Sequence, residues 1–371
     1  MLQANTTYND KKKSMATKKT LINIPSLDGL RGLAALMVVF SHAGTVGLFA
    51  DIKFSGQLGV GLFFCLSGFL MAFLYGQKSW GINSVFTYGV RRFFRIYPAY
   101  LAVLTLSYLL VIAGSKFHFG IPVNYPYRMT YSVLLDHFML NGSVGAFWTI
   151  PVEMKFYLIF PFLSAVIYWV PGNKYKITVT LILLLGCMFM EPKGNIISPW
   201  WYLEFFVGGM CAGYIFAFLH EEIRKYKRTV NTLFVLSLLG IFISIPRVFS
   251  ALSEMVGYSG YYWNNMLHVA PPYFAPMMSL CVLCCALSTG VLNVIFSNRY
   301  SRYLGKISFS LYLTHGPCLV LVKHWFSYTP AMELFIALAL SLVVSNVLFI
   351  LIEDPYRRMG SRLATFKPKH V

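Results

Sequence analysis

Residues 27–42 read LDGLRGLAALMVVFSH. The run has the length and apolarity of the start of a membrane-crossing helix, yet Asp28 and Arg31 stand at its entrance and His42 lies inside it. An ionisable side chain costs roughly 2.5–3.5 kcal/mol or more at the centre of a bilayer, so such residues point to function. Arg31 and His42 are eleven residues apart, which at 100° per residue is about 20° from three full turns. They therefore share one helix face, roughly 16 Å apart along the axis. Asp28 stands one turn before Arg31 and is placed to pair with it.

The rest of the chain fits a membrane setting. Of 371 residues, 57% are hydrophobic and only 12% are charged, and the mean hydropathy is +0.62. Soluble domains carry about 25% charged residues. The formal net charge of +18 could speak for nucleic acid, but the cations are scattered among short loops between apolar runs. A positive-inside bias explains them better, and no nucleic-acid partner is expected.

Ten apolar segments can be counted, near 30–48, 58–76, 97–114, 147–170, 177–191, 199–219, 230–245, 270–296, 306–322 and 332–352. Each approaches the ~20 residues a helix needs to cross. With the N-terminus inside, most Lys and Arg fall on one side, including the 224–228 cluster RKYKR and the group Arg299, Arg302 and Lys306. The expected fold is an all-α polytopic helical bundle of ten spans with both termini cytoplasmic. The expected division is a basic cytoplasmic tail over 1–26, a membrane unit over 27–354 and a second basic tail over 355–371. The basic N-terminal segment reads as a tail and not as a cleaved signal peptide. Two outer segments are long, 115–146 and 246–269, and the aromatic side chains of the second suit either sugar stacking or an interfacial belt.

Two further constellations carry chemistry. FWTIPVEMKFYLIFP (147–161) puts Glu153 just inside the outer end of the fourth span. A carboxylate there needs a cation or donor; His42 is a candidate, and Lys155 lies on a different helix face. A Glu beside a His is a usual way to orient a general base. VRRFFRIYP (90–98) puts Arg92 and Arg95 three apart at the start of the third span, as a pair of forks suited to a polyphosphate. SLYLTHGP places His315 in the ninth span, and IEDPYRR closes the tenth with Glu353, Asp354 and a Pro that ends the helix. GVGLFFCLSGFLM (59–71) supplies Gly59, Gly61, Ser67 and Gly68, mainly for close helix packing. All seven cysteines lie in apolar runs and read as small buried residues; no metal is expected.

Five of these stretches, SLDGLRGLAALMVVFSH, GVGLFFCLSGFLM, RRFFRIYPAY, FWTIPVEMKFYLIFP and SLYLTHGP followed by IEDPYRR, resemble the acyltransferase 3 family of integral membrane acyltransferases in content and order. The family's Arg-x10-His element falls on Arg31 and His42, and its Arg-x-x-Arg element on Arg92 and Arg95. Its Trp-Ser-Leu-x-x-Glu appears here as Trp148-Thr149-Ile150-Pro151-Val152-Glu153, without the second acidic residue that usually follows. Size and compartment usage suggest a bacterial inner-membrane enzyme, and the resemblance implies a ten-helix integral membrane protein that takes an acyl group, commonly acetyl, from cytoplasmic acyl-CoA (acetyl-CoA). The acceptor is a hydroxyl of an extracytoplasmic or lipid-linked glycan. It implies His42 as general base, Glu153 orienting it, Arg31, Arg92 and Arg95 on the coenzyme, and Asp28, Ser67, Trp148, Tyr157, His315 and Glu353 in support. It also implies that the chain acts alone or hands the acyl group to a separate extracytoplasmic partner. A thioester is already activated, so the chemistry requires no metal. The rival reading is a secondary transporter of lipid-linked sugars or small anions; against it, the two halves carry no repeat.

Overall fold

A computed structural model describes residues 24–49, 52, 55–117, 129–190, 195–255 and 273–365. The N-terminal tail, most of the aromatic 246–269 segment and residues 366–371 lie outside the described residues. Every one of the ten apolar ranges holds helix. The elements are α1 (Pro25–Thr45), α2 (Ser55–Tyr75), α3 (Ile82–Phe117), α4 (Tyr131–Phe138), α5 (Thr149–Trp169) and α6 (Asn173–Met188). They continue with α7 (Leu203–Ile223), α8 (Lys227–Ile243), α9 (Pro246–Met255), α10 (Phe274–Leu287), α11 (Gly290–Ser297), α12 (Arg299–Trp325), α13 (Pro330–Leu348) and α14 (Asp354–Leu363).

Among the described residues, five stretches are long and apolar enough to cross a membrane, six if the bent pair α10 and α11 makes one span. The stretch Pro199–Ile243 has 45 residues; laid straight it would reach about 68 Å, more than twice a ~30 Å hydrocarbon core. It contains two helices, α7 and α8, joined by the turn Arg224–Tyr226. Helix α1 is 21 residues long, but Asp28, Arg31 and His42 lower its hydropathy. The outer surface carries large apolar side chains in the open, such as Trp169 at 82% and Phe162 at 76% exposure. Soluble monomers rarely display such surfaces in bulk, so this is an integral membrane protein.

The centre of the bundle is α1, α2, α7, α10 and α12, with α2 packed on α7 and α1 on α12. Small residues let these pairs approach. A Cβ on Gly68 would sit 2.0 Å from the Phe206 carbonyl oxygen, and one on Gly305 would sit 1.9 Å from that of Asp28. The second contact brings the entrance of α1 directly against α12. Aromatic rings fill the other seam: Phe206 stacks on Phe156 at 3.9 Å and on Phe64 at 4.6 Å between ring centroids.

Three expectations are corrected. The third helix begins at Ile82, not near 97, so Arg92 and Arg95 lie inside α3; a hydropathy count stops at arginines, while a helix backbone accepts them readily. The range 270–296 is not one straight helix: α10 and α11 meet at 97°. There Gly290 takes φ +63°, and Asn231 of α8 holds the break, donating to the Thr289 carbonyl at 3.2 Å and accepting the Thr289 N–H at 3.1 Å. Finally, Pro355 does not end the last helix. A π-helical turn, Phe349–Glu353, leads into α14, where the Pro occupies the first turn and its missing N–H would be unpaired anyway. Residues 355–363, expected as tail, thus form a helix packed on α3, with Gly360 against Phe94.

Candidate active site

Three cavities lie in a row through the bundle. The first, about 730 Å³, opens among α1, α3, α12 and α14 and is lined by Arg31, Arg95, Arg299, Arg302, Lys306 and Arg357, with Asp28 and Glu353. The second is a narrow neck of about 70 Å³, lined by Arg31, Arg92, Arg95, Ser67 and Glu153 among apolar and aromatic walls. The third, about 290 Å³, holds His42 with Ser41, Thr45, Gln57, Trp148 and Tyr312. Arg31, Arg95, Ser308 and Phe309 line both the first and second cavities. Val60 and Tyr312 line both the second and third.

The His42 end is set by α1 and α12. His42 Nδ1 and His315 Nε2 are 2.7 Å apart, with the rings near-parallel at 21°. His315 Nδ1 stands 3.1 Å from the Leu311 carbonyl. A carbonyl only accepts, so His315 Nδ1 carries a hydrogen and, in the neutral ring, Nε2 is an acceptor. His42 Nδ1–H therefore donates to His315 Nε2. The lone pair of His42 is left on Nε2, the arrangement a general base requires. His315 is fully buried, which fixes the pair.

This overturns the expected pairing of His42 with Glu153. Glu153 Oε1 instead accepts from Ser67 Oγ at 2.5 Å and from the Tyr157 hydroxyl. The reason lies just before α5. A 3-10 turn, Gly145–Trp148, enters the bundle with Ala146 and Phe147 buried. The Tyr312 hydroxyl donates to the Ala146 carbonyl at 2.6 Å, and Thr149 Oγ1 donates to Tyr312 at 2.9 Å. Helix α5 thus starts inside the protein, and Glu153 lines the same cavity as Arg31, Arg92 and Arg95. Ser67 is a ligand of that carboxylate and not a packing residue.

The arginines differ in setting. Arg31 lies 3.4 Å from Asp28. Arg92 is 6% exposed and sits over the rings of Tyr75, Tyr88 and Tyr157 at 5.2, 5.8 and 5.6 Å, where π faces hold a desolvated cation. Arg92 and Arg95 both line the central cavity, but only Arg95 also lines the basic chamber. Glu353 faces the chamber and accepts from Ser310 Oγ at 2.5 Å. Trp148 lines the His42 cavity, its ring 5.0 Å from Tyr202. Lys155 turns away from Glu153 and donates to the Ile197 carbonyl at 3.2 Å.

Sequence reasoning missed Tyr312, which separates the two inner cavities, and counted Arg299, Arg302, Lys306 and Arg357 only as topological charge. The i, i+3, i+7 spacing on α12 was the signal available for three of them. Among the described residues, no group of three or more His, Cys, Asp or Glu could hold a metal ion. All seven cysteines are free, and Cys187 alone is not fully buried.

Against known proteins, the pattern of the acyltransferase domain family called acyltransferase 3 matches residues 24–350. SACOL0978 of Staphylococcus aureus strain COL is 24% identical over 391 residues, covering 98% of this chain and 62% of the relative. The peptidoglycan O-acetyltransferase OatA of Listeria monocytogenes is 25% identical, covering 91% of this chain and 56% of the relative. The O-acetyltransferase OatA of Staphylococcus aureus strain NCTC 8325 is 25% identical, covering 93% and 59%. The chain thus spans about 60% of the length of these curated relatives. No solved structure matches it.

Proposed function

Because the chain belongs to the acyltransferase 3 family, matched over residues 24–350, we propose that it transfers an acetyl group from acyl-CoA to a hydroxyl of a cell-envelope glycan, with His42 as general base. The relatives named O-acetyltransferase support the acetyl group, and the peptidoglycan named for the Listeria relative supports a glycan acceptor. One observation carries the reading: a row of cavities runs from a basic chamber to the free nitrogen of His42. An anionic coenzyme enters at the chamber and its thioester reaches the His42 cavity, where hydroxyl and aromatic groups suit a sugar.

In the proposed step, His42 Nε2 removes the proton of the acceptor hydroxyl while its oxygen attacks the thioester carbonyl. A C–O bond forms and the C–S bond breaks. The departing thiolate takes the proton from His42, so the base is regenerated. His315 holds His42 in the reactive tautomer, and Glu153 offsets the charge of Arg31, Arg92 and Arg95. The thioester supplies the activation, so the step requires no metal.

The proposed topology has ten crossings with both termini cytoplasmic and one membrane unit over 27–354, in a bacterial inner membrane. The Lys and Arg asymmetry supports it. A cysteine placed at Thr365 should then resist labelling from outside intact cells; efficient labelling would reverse the orientation. For the activity, purified protein in nanodiscs receives acetyl-labelled coenzyme and envelope glycan, with His42→Gln as control. Label in the glycan with wild type, lost with the variant, is expected. No transfer, or equal transfer by both, would overturn the reading.

A further inference from the structure

The large chamber holds more positive charge than the protein itself neutralises. Of its two carboxylates, Asp28 is engaged with Arg31 at 3.4 Å and Glu353 with the Ser310 hydroxyl. Arg357 is paired with Asp354. Four cations remain: Arg95, Arg299, Arg302 and Lys306. Among the described residues, none of these four has a carboxylate within 4 Å. Three of them stand at i, i+3 and i+7 on α12, within about 60° of one face and roughly 10 Å along its axis.

The four divide into two tiers. Arg95 lines both the chamber and the central cavity, so it stands at the neck with Arg31. Arg299, Arg302 and Lys306 line the chamber only. Tyr303 stands among them, its hydroxyl donating to Asn346 at 2.8 Å, and offers a flat anchored ring. Lys306 is held over the Phe349 ring at 5.0 Å. The first turn of α12 is not the attraction, because Asn298 already accepts the Tyr300 and Ser301 N–H groups.

A ligand with its thioester at His42 and a diphosphate at the neck leaves its far end against this outer tier. Resting on the acyl-CoA reading above, we infer that Arg299, Arg302 and Lys306 form a separate site for the ribose 3′-phosphate of coenzyme A. The outer tier thus distinguishes coenzyme A from its 3′-dephospho form, while Arg31 and Arg95 serve the diphosphate common to both. An anionic phospholipid headgroup shares the phosphate chemistry, so the test must separate the two sources.

The full chain in phosphatidylcholine nanodiscs is titrated with coenzyme A and with 3′-dephospho-coenzyme A. Wild type should prefer coenzyme A by roughly 10–100-fold, as a charge-assisted contact predicts. The double variant Arg302→Ala/Lys306→Ala should lose that preference, keeping its weaker affinity for the dephospho form, and Arg302→Lys should retain most of it. Both side chains are exposed, and a thermal melt verifies folding of each variant. Equal wild-type affinity for both coenzymes, or equal loss of both in the variant, would overturn the site. Adding phosphatidylglycerol to the nanodiscs should leave the preference intact; its abolition would assign the chamber to lipid instead. Acetyl transfer from saturating acetyl-dephospho-coenzyme A separates the two levels. Transfer without discrimination sinks only the 3′-phosphate site. No binding of either coenzyme together with no transfer sinks the acyl-CoA reading as well.

Discussion

The two ends of the cavity row solve opposite problems. The chamber gathers guanidinium and ammonium groups from four helices, exposed on α12 and α14 and half-buried at Arg31 and Arg95. The far end holds two neutral imidazoles 2.7 Å apart, one of them fully buried, in a tautomer fixed by a backbone carbonyl. Charge acts over distance, so the chamber tolerates loose placement and its contributions are graded. A proton transfer needs heavy atoms within hydrogen-bond reach, so the His42 end is close to all-or-none. Substitutions should divide in the same way, with loss of turnover at one end and loss of donor affinity at the other.

His42 gives the largest effect. His42→Ala should lower kcat by roughly 10²–10⁴-fold, the usual contribution of a positioned base, with the donor KM unchanged. His42→Gln keeps a hydrogen-bonding group and should be as poor. A variant with normal turnover and a raised donor KM would erase the contrast between the ends. His315 comes next. His315→Ala leaves the base present but free to rotate or change tautomer, and a loss of about 10²-fold in kcat is expected. His315→Gln restores an acceptor for His42 Nδ1–H and should recover about tenfold of it. A purely structural His315 would instead show a lower melting temperature with no difference in kcat between the two variants.

The contrast was only half legible in the sequence. Helix positions followed from apolar runs, because hydropathy records which segments leave water. Charged stretches hid helix, as in the first half of α3, and the Ser-Thr-Gly at 288–290 was read through although it marks a right-angle break. Arg31 and His42 were found because helical periodicity links residues on one strand of chain. Their partners were not, because the His42–His315 contact spans 273 residues of sequence and nothing local encodes it. Glu153 was assigned to His42 rather than to Ser67 and Tyr157 for the same kind of reason: the inward turn at 145–148 depends on Tyr312 from α12. The arginine spacing was visible, but its split into a ring-caged Arg92 and a chamber-facing Arg95 required Tyr75 of α2 and Tyr157 of α5 beside Tyr88 of α3 itself.

That split sets the third prediction. Arg95→Ala should raise the donor KM by roughly 10–100-fold and leave kcat at saturating donor nearly unchanged. Added salt should raise the wild-type KM through screening of the exposed chamber charges without touching kcat. Arg92→Ala removes a buried cation from between three rings, so it should also lower expression and melting temperature. Arg92→Lys should restore little of this, since a compact ammonium does not stack as a guanidinium does. Identical profiles for the two alanine variants would return both to a single phosphate-binding pair.

A third histidine, outside the spans, supplies the smallest effect and a control for the other two. His137 of α4 is fully buried, accepts the Val144 N–H at Nε2 (3.3 Å) and therefore donates from Nδ1 to the Tyr100 hydroxyl (2.6 Å). It has the same neutral-ring arrangement as His315 but lines none of the three cavities described above, which favours a structural role. Burial pushes its pKa down to about 4 from an ordinary 6.5. The unfolded chain then binds the proton more readily than the folded one. Stability from this residue is intact above about pH 6.5, falls as the pH drops, and is fully lost below about pH 4. Between pH 7 and pH 6 the loss is only about 0.7 kcal/mol, read as a small decrease in melting temperature that should shrink in His137→Gln. Over the same range kcat should follow His42 and not His137. A His137→Gln variant whose pH–rate profile shifts while its melting curve does not would place that residue in the chemistry and blur the division between the two ends.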